Sequence, residues 1–267
     1  MKGAVVASRA TKSLAIAALL AGLALPLSAR AETPACDVPQ DLLRLANPLA
    51  HVAHKIANNE PLLIVAIGSS STAGAGASSP AANYPSRLAV ELKQHFPKNS
   101  ITVLNRGVNG EEVADMLKRF DTAVVAAKPD LVLWQLGTNS IIRDHSLAQH
   151  ESSIHDGIKK IRATGADMVL IDPQFVPKVI VKPQAIQIVQ LIATAAKLED
   201  VDLFRRFDVM KRWNEVDHIA FDKFVAPDGL HLNDWSYACM AKGLGQAIAE
   251  AAQRPVMSAT TMSHLTP

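Results

Sequence analysis

Five short apolar runs punctuate the chain: "LLIVAI" (62–67), "ITVLN" (101–105), "LVLWQL" (131–136), "MVLID" (168–172) and the weaker "VDLF" (201–204). None alternates apolar with polar residues, as a strand wetted on one side would. Short runs rich in Val, Ile and Leu are the pattern of strands covered on both faces. The segments between them have helical spacing. Leu88, Leu92 and Phe96 recur every four residues. Val113, Met116, Leu117, Phe120 and Val124 form one stripe, and Leu147, Ile154, Ile158 and Ile161 another. Each stripe can cover a sheet. A fourth helix is expected near 184–198, and a last one over about 234–252, with Asn233 or Asp234 capping its free N–H groups. Residues 37–60 read as an additional helix before the first strand. Alternating β and α elements imply an α/β fold with a mostly parallel sheet and helices on both faces. Ligands of such open sheets bind beyond the carboxyl ends of the strands, so reactive residues are expected just after each run.

The first residues read as an export signal rather than as part of the fold. "MKGAVVASRATK" is basic, "SLAIAALLAGLALPL" is apolar, and "SARA" ends in small residues, so cleavage is expected after Ala31. The apolar stretch falls short of the ~20 residues that span a bilayer. Its removal takes away Lys2, Arg9, Lys12 and Arg30 and no acid, turning the formal charge of +2 into −2. A nucleic-acid partner would call for a clustered basic face, which is not expected here. The expected organisation is a cleaved signal over 1–31, a helical extension over 32–60, one domain over 61–253 and a mobile tail over 254–267. The chain is expected in the periplasm or outside the cell, with no membrane span once the signal is removed. Cys36 and Cys239 are candidates for a disulfide tying the N-terminal segment to the last helix. Two unpaired thiols is the other reading, since spacing alone does not show that they meet.

The stretch "AIGSSSTAGAGASS" (66–79) follows the first run directly. It lacks the Gly-Lys-Ser/Thr ending of a phosphate-binding loop and contains no lysine. It also misses the G-x-S-x-G elbow, because Thr72 stands at the final glycine position. What it offers is a hydroxyl on a strand-to-helix turn, with Ser69, Ser70 and Ser71 as candidates. A serine needs a base to become a nucleophile, and the base needs an orienting carboxylate. "APDGLHLND" supplies both, with Asp228 and His231 three residues apart around a glycine. "NRGVNGEE" (105–112) and "WQLGTNS" (134–140) supply a glycine turn and the amide of Asn139 at two other strand exits. Such groups can donate to developing negative charge.

Taken in order, these blocks resemble the SGNH/GDSL hydrolase family. "GSSSTAG" (68–74) matches its GDSxTxG block, "NRGVNG" its N-x-G-x-x-G, "GTN" its G-x-N and "DGLH" its D-x-x-H. The resemblance implies a flavodoxin-like, three-layer α/β/α fold with a five-stranded sheet. It implies Ser70 as nucleophile, His231 as base and Asp228 as its orienting acid. The oxyanion would be held by Ser70, Gly110 and Asn139. Two departures stand out: Ser69 replaces the aspartate of G-D-S, and Ser140 replaces the aspartate of G-x-N-D, where it could alter substrate contacts.

The function implied is an exported serine esterase acting on acyl or acetyl esters through an acyl-enzyme, O-deacetylation of a glycan being the first guess. An O-acyltransferase using the same triad, and a glycan-binding module with an idle triad, are the alternatives. The expected partner is a small-molecule or glycan ester; no cofactor and no metal are expected, and the oligomeric state is open. His51 and His54 share a helix face without a clear third ligand, and His145, His150 and His155 receive no role. Trp134 and Trp213 are expected in packing.

Overall fold

The computed structural model describes residues 1–4, 35–145 and 147–255. The chain divides into two units, 1–34 and 35–267, and the fold below is that of the second. The expected signal core and most of the expected tail lie outside the described residues.

Five parallel strands form one sheet: β1 (Leu62–Gly68), β2 (Ile101–Gly107), β3 (Leu131–Gln135), β4 (Asp167–Ile171) and β5 (Asp202–Phe204). Their order across the sheet is β2-β1-β3-β4-β5. The chain steps from β1 to one edge and then travels the other way. Right-handed crossovers in opposite directions put helices on opposite faces, which gives three layers. Helices Tyr84–His95 and Asp234–Gln253 pack together, as do Leu147–Arg162 and Ala185–Leu198. The sheet interior is buried throughout β1 and β3 apart from Leu63, as the unbroken apolar runs require. Register places Gly68 beside Gly107 and Gln135 beside Ile171, so the carboxyl ends of β1–β4 open on one edge of the sheet.

Four helices lie close to the sequence expectation: Tyr84–His95, Leu147–Arg162, Ala185–Leu198 and Asp234–Gln253. Asn233 caps the last, its side chain accepting from Ser236 N. Two expectations are corrected. Residues 37–60 do not form one helix but two, Gln40–Leu43 and Ala50–Ala57. The break contains Pro48, which restricts Asn47 before it to extended backbone, and Asn47 N instead donates to Asp202 Oδ1. The stripe from Val113 to Val124 runs over two short helices, Val113–Lys118 and Phe120–Ala123, interrupted at Arg119 (ψ 7°). The Arg119 guanidinium reaches back to Glu111 and to Arg106 O. Sequence periodicity also missed the helix Arg206–Glu215, which follows β5.

Residues 35–60 share the core of the sheet domain: Val38, Leu43, Leu45, Leu49 and Val52 are buried in it. Aspartates at the amino ends of three strands hold this segment. Asp202 accepts from Asn47 N, Asp167 from Val52 N, and Asp130 from His51 Nε2 and from Leu63 N at the start of β1. Burial pushes the Asp202 carboxyl up to about 6, against the backbone N–H groups it accepts from. Cys36 and Cys239 are joined in a disulfide, their Cα atoms 5.4 Å apart. Trp134 and Trp213 are buried in the core.

Candidate active site

β1 ends at Gly68, and the chain turns at once into the short helix Ser70–Ala73. This turn sits between the exits of β2 and β3, its neighbours in the sheet. Gly107 shows how close the β2 exit comes. A Cβ there would lie 2.1 Å from Ala73 N, so only glycine fits. The turn is supported from below by two tyrosines. Tyr237 donates to Ala75 O at 2.7 Å, and the Tyr84 hydroxyl is 3.2 Å from Thr72 Oγ1.

The last segment of the site comes from the loop between Phe224 and the helix Asp234–Gln253. This loop closes on itself through a bridge between Val225 and Leu232 and through Ala226 N donating to His231 O. It presses against Gly76 (φ +88°), where a Cβ would lie 2.3 Å from Leu232 O and 3.0 Å from His231 Cβ. His231 is thereby brought to the strand edge although 161 residues separate it from Ser70.

Three side chains form a hydrogen-bonded series. Asp228 Oδ2 is 2.5 Å from His231 Nδ1, and His231 Nε2 is 2.9 Å from Ser70 Oγ. The other carboxylate oxygen, Oδ1, accepts from Leu230 N and His231 N, both at 2.9 Å. Burial works against ionisation of Asp228. The two backbone N–H groups and the imidazole outweigh it and hold the carboxyl down to about 2. An ionised carboxylate only accepts, so the ring proton sits on Nδ1 and the lone pair of Nε2 faces the Ser70 hydroxyl. Ser70 is 9% exposed and the His231 side chain 20%, which leaves the serine oxygen sheltered but reachable.

The two other candidate donors lie on either side of β1. Gly110 adopts a left-handed φ of +79°. Asn139 stands in the helix Thr138–Ile142, and its Nδ2 donates one N–H to Glu111 O at 2.8 Å, which leaves the second for another acceptor. Arg143 holds the same loop by donating to Gly110 O at 2.8 Å and to Glu112. Burial opposes ionisation of Glu112, but Arg143 and His145 hold its carboxyl below the usual range. The carbonyls of Gly110 and Glu111 are therefore both fixed by side chains of the β3 exit. Removing one oxyanion donor typically costs ~10²–10³ in turnover. Asn139→Ala is accordingly expected to lower kcat by that factor with little change in KM. An unchanged kcat in steady-state ester assays would remove Asn139 from the role.

The structure answers both departures noted in the sequence. Ser69 faces away from His231: its N–H and its hydroxyl both donate to Gln135 Oε1, at 2.9 and 3.1 Å, joined by Thr72 Oγ1 at 3.2 Å. Ser140 is buried, 1% exposed, and lies 3.3 Å from both Glu112 Oε2 and His150 Nδ1. Sequence reasoning passed over Gln135, Gln174, Arg143 and Glu112. Gln135 had a visible signal, a polar residue inside an otherwise apolar run. A groove of about 590 Å³ lined by His51, Lys55, Lys128 and Asp130 shares no residue with this site.

The comparisons agree with this architecture. The two-domain esterase CEX, described as active on acetylated mannans, superposes with a TM-score of 0.67 at 19% identity, over 80% of this chain and 56% of that one. TesA gives 0.59 at 20% identity, over 71% and 99%. A catalytic variant of Axe2, an acetylxylan esterase from Geobacillus stearothermophilus, gives 0.59 at 17%, over 74% and 97%. In sequence, an acetylxylan esterase of the same organism is 36% identical over 56 residues, 21% of this chain and 26% of that protein. The chain thus spans about a quarter of that curated relative and little more than half of CEX. The model of the non-GDSL lipase-like family matches residues 35–254, taking in every strand and every residue of the site. The chain belongs to the non-GDSL lipase-like family.

Proposed function

We propose that the protein is an exported ester hydrolase of the SGNH type that removes acetyl groups from a glycan through a Ser70–His231–Asp228 triad. The observation that carries the reading is the series Asp228–His231–Ser70, aligned with the ring lone pair toward the serine hydroxyl, at the carboxyl edge of a parallel sheet. The kinship with esterases of acetylated mannan and xylan supports the acetyl-glycan part.

The chemistry follows from the proton positions. As Ser70 Oγ attacks the ester carbonyl, its proton passes to His231 Nε2, and the charge on the imidazolium is balanced by Asp228. The oxyanion is met by the N–H groups of Ser70 and Gly110 and by the second N–H of Asn139. Collapse breaks the bond to the sugar oxygen, which leaves with the proton from Nε2. The acetyl group stays on Ser70 Oγ. Water then attacks and gives its proton to His231, which passes it to Ser70 Oγ as the acyl bond breaks and acetic acid leaves. Neither Ser69 nor Ser140 takes part.

Acetate release from acetylated xylan and mannan oligosaccharides, alongside p-nitrophenyl acetate and p-nitrophenyl decanoate, tests the proposal. Acetate should appear from the glycans, and the acetyl ester should turn over faster than the decanoyl ester. Diethyl p-nitrophenyl phosphate should add one diethylphosphoryl group to the peptide containing Ser70. Acetyl groups moved onto an added sugar instead of into acetate would make the protein a transferase. A folded protein that neither releases acetate nor takes the phosphoryl label would sink the triad reading.

A further inference from the structure

Gln174 lies three residues past the end of β4 and is 0% exposed. It makes three side-chain hydrogen bonds, each to an element that carries a different part of the site. Its Oε1 accepts from Thr138 Oγ1 at 2.8 Å and from Ser71 Oγ at 3.4 Å. Its Nε2 donates to Leu230 O at 3.3 Å. Each partner is the immediate chain neighbour of a residue in the proposed machinery: Ser71 of Ser70, Thr138 of Asn139, and Leu230 of His231. The orientation of the amide is forced. A backbone carbonyl can only accept, so the NH₂ end must face Leu230 and the oxygen must face the two hydroxyls. Both hydroxyls are then committed as donors, and both are buried.

The Leu230–His231 peptide is consequently gripped from two sides. Its carbonyl is held by Gln174, and its N–H is held by Asp228 Oδ1. That peptide sets where the imidazole begins. Besides Gln174, the loop 225–232 is located by its own internal bonds, by packing against Gly76, by Val225 N donating to Phe221 O and by Lys178 N donating to Gly229 O.

We infer that Gln174 is a positioning residue that fixes the His231 loop relative to the Ser70 turn and the Asn139 helix. It touches no reacting atom. The inference rests on the triad reading above and deepens it. Catalysis by a serine and a histidine from separate segments depends on their relative placement to a fraction of an ångström, and a misplacement of about 1 Å can cost ~10² in rate.

Two substitutions test it. Gln174→Met keeps the volume and removes all three bonds, so kcat should fall by roughly 10²-fold with KM little changed. Gln174→Glu keeps the shape and makes the donor titratable. While protonated, the introduced carboxyl donates to Leu230 O and accepts from Thr138 and Ser71, so kcat should approach that of the parent. Burial raises the pKa of such a carboxyl. As pH rises through it, the donor is lost and two oxygens oppose each other, so kcat should fall over a range where the parent is level. A purely structural glutamine would not create that new limb. The downfield proton resonance of His231 Nδ1–H, recorded without substrate, gives an independent readout and should shift or broaden in Gln174→Met. A shifted resonance in a protein that hydrolyses no ester would keep the positioning inference and overturn the esterase reading. Folded Gln174→Met with unchanged kcat and unchanged resonance would overturn the inference alone. A loss in Gln174→Glu that is the same at every pH would also overturn it.

Discussion

Ser70→Ala is expected to lower kcat for ester hydrolysis by about 10⁶-fold, the scale on which a triad loses turnover when its nucleophile is removed. The fold should survive the change. Ser70 Oγ has one side-chain partner, His231 Nε2, and the bonds that shape the turn belong to the backbone: Gly74 N and Ala75 N both donate to Ser70 O. Alanine keeps those carbonyl bonds. The imidazole left behind is partly open to water, so no buried polar group is stranded. Circular dichroism and a melting curve should therefore match the parent, and phosphoryl labelling should disappear. Activity that survives Ser70→Ala would move the nucleophile elsewhere. Ser69 and Ser71 are poor substitutes, since their hydroxyls are committed to Gln135 and Gln174 respectively.

What could be read in the sequence was whatever is written in short range. β1, β3 and β4 appear as unbroken apolar runs because burial on both faces leaves no room for alternation, whereas the edge strand β2 has no fully buried residue and is read from its Ile, Val and Leu content. Asp228 and His231 are readable as a pair because three residues around a glycine suffice to close the Nδ1 contact. The helix beginning at Asp234 is readable from Asn233, whose capping bond spans three positions. The break at Arg119 is hidden for a physical reason. Val113, Met116, Phe120 and Val124 are all buried, so the apolar stripe runs straight across an interruption that Arg119 makes by turning back to Glu111.

The glutamines are hidden for a different reason. Gln135 reaches partners 63 and 66 residues away, and Gln174 reaches partners 36, 56 and 103 residues away. No spacing rule reports such bonds. They become visible only when strand exits are overlaid, since the sheet order puts Gln135 beside the Ser70 turn. The matched family is described as non-GDSL, and Ser69 stands where the GDSL motif has aspartate. In this chain the group that receives Ser69 N and Ser69 Oγ is a neutral amide oxygen from β3. A negative charge at position 69 would face that oxygen at close range, so Gln135 and Ser69 suit each other.

Asp228→Asn should lower kcat by about 10⁴-fold without disturbing the loop. The amide keeps an oxygen that can accept from Leu230 N and His231 N, so the backbone of 228–231 stays as it is. The atom that replaces Oδ2 is then an NH₂ group facing His231 Nδ1. Two donors cannot share that contact, so the ring adopts the tautomer with its proton on Nε2. An N–H now points at Ser70 Oγ where a lone pair is needed, and the serine proton has no acceptor. The imidazolium also loses its counter-charge, which in the parent is a carboxylate held down to about 2 and thus ionised throughout the working range. KM should change little, because neither oxygen of Asp228 is proposed to meet the ester. Nitrogen-15 NMR of the His231 ring reads the tautomer directly, and Nε2 should carry the proton in the variant. A loss below tenfold, with Nδ1 still protonated, would mean that some other acceptor orients the ring and that Asp228 serves the loop rather than the base.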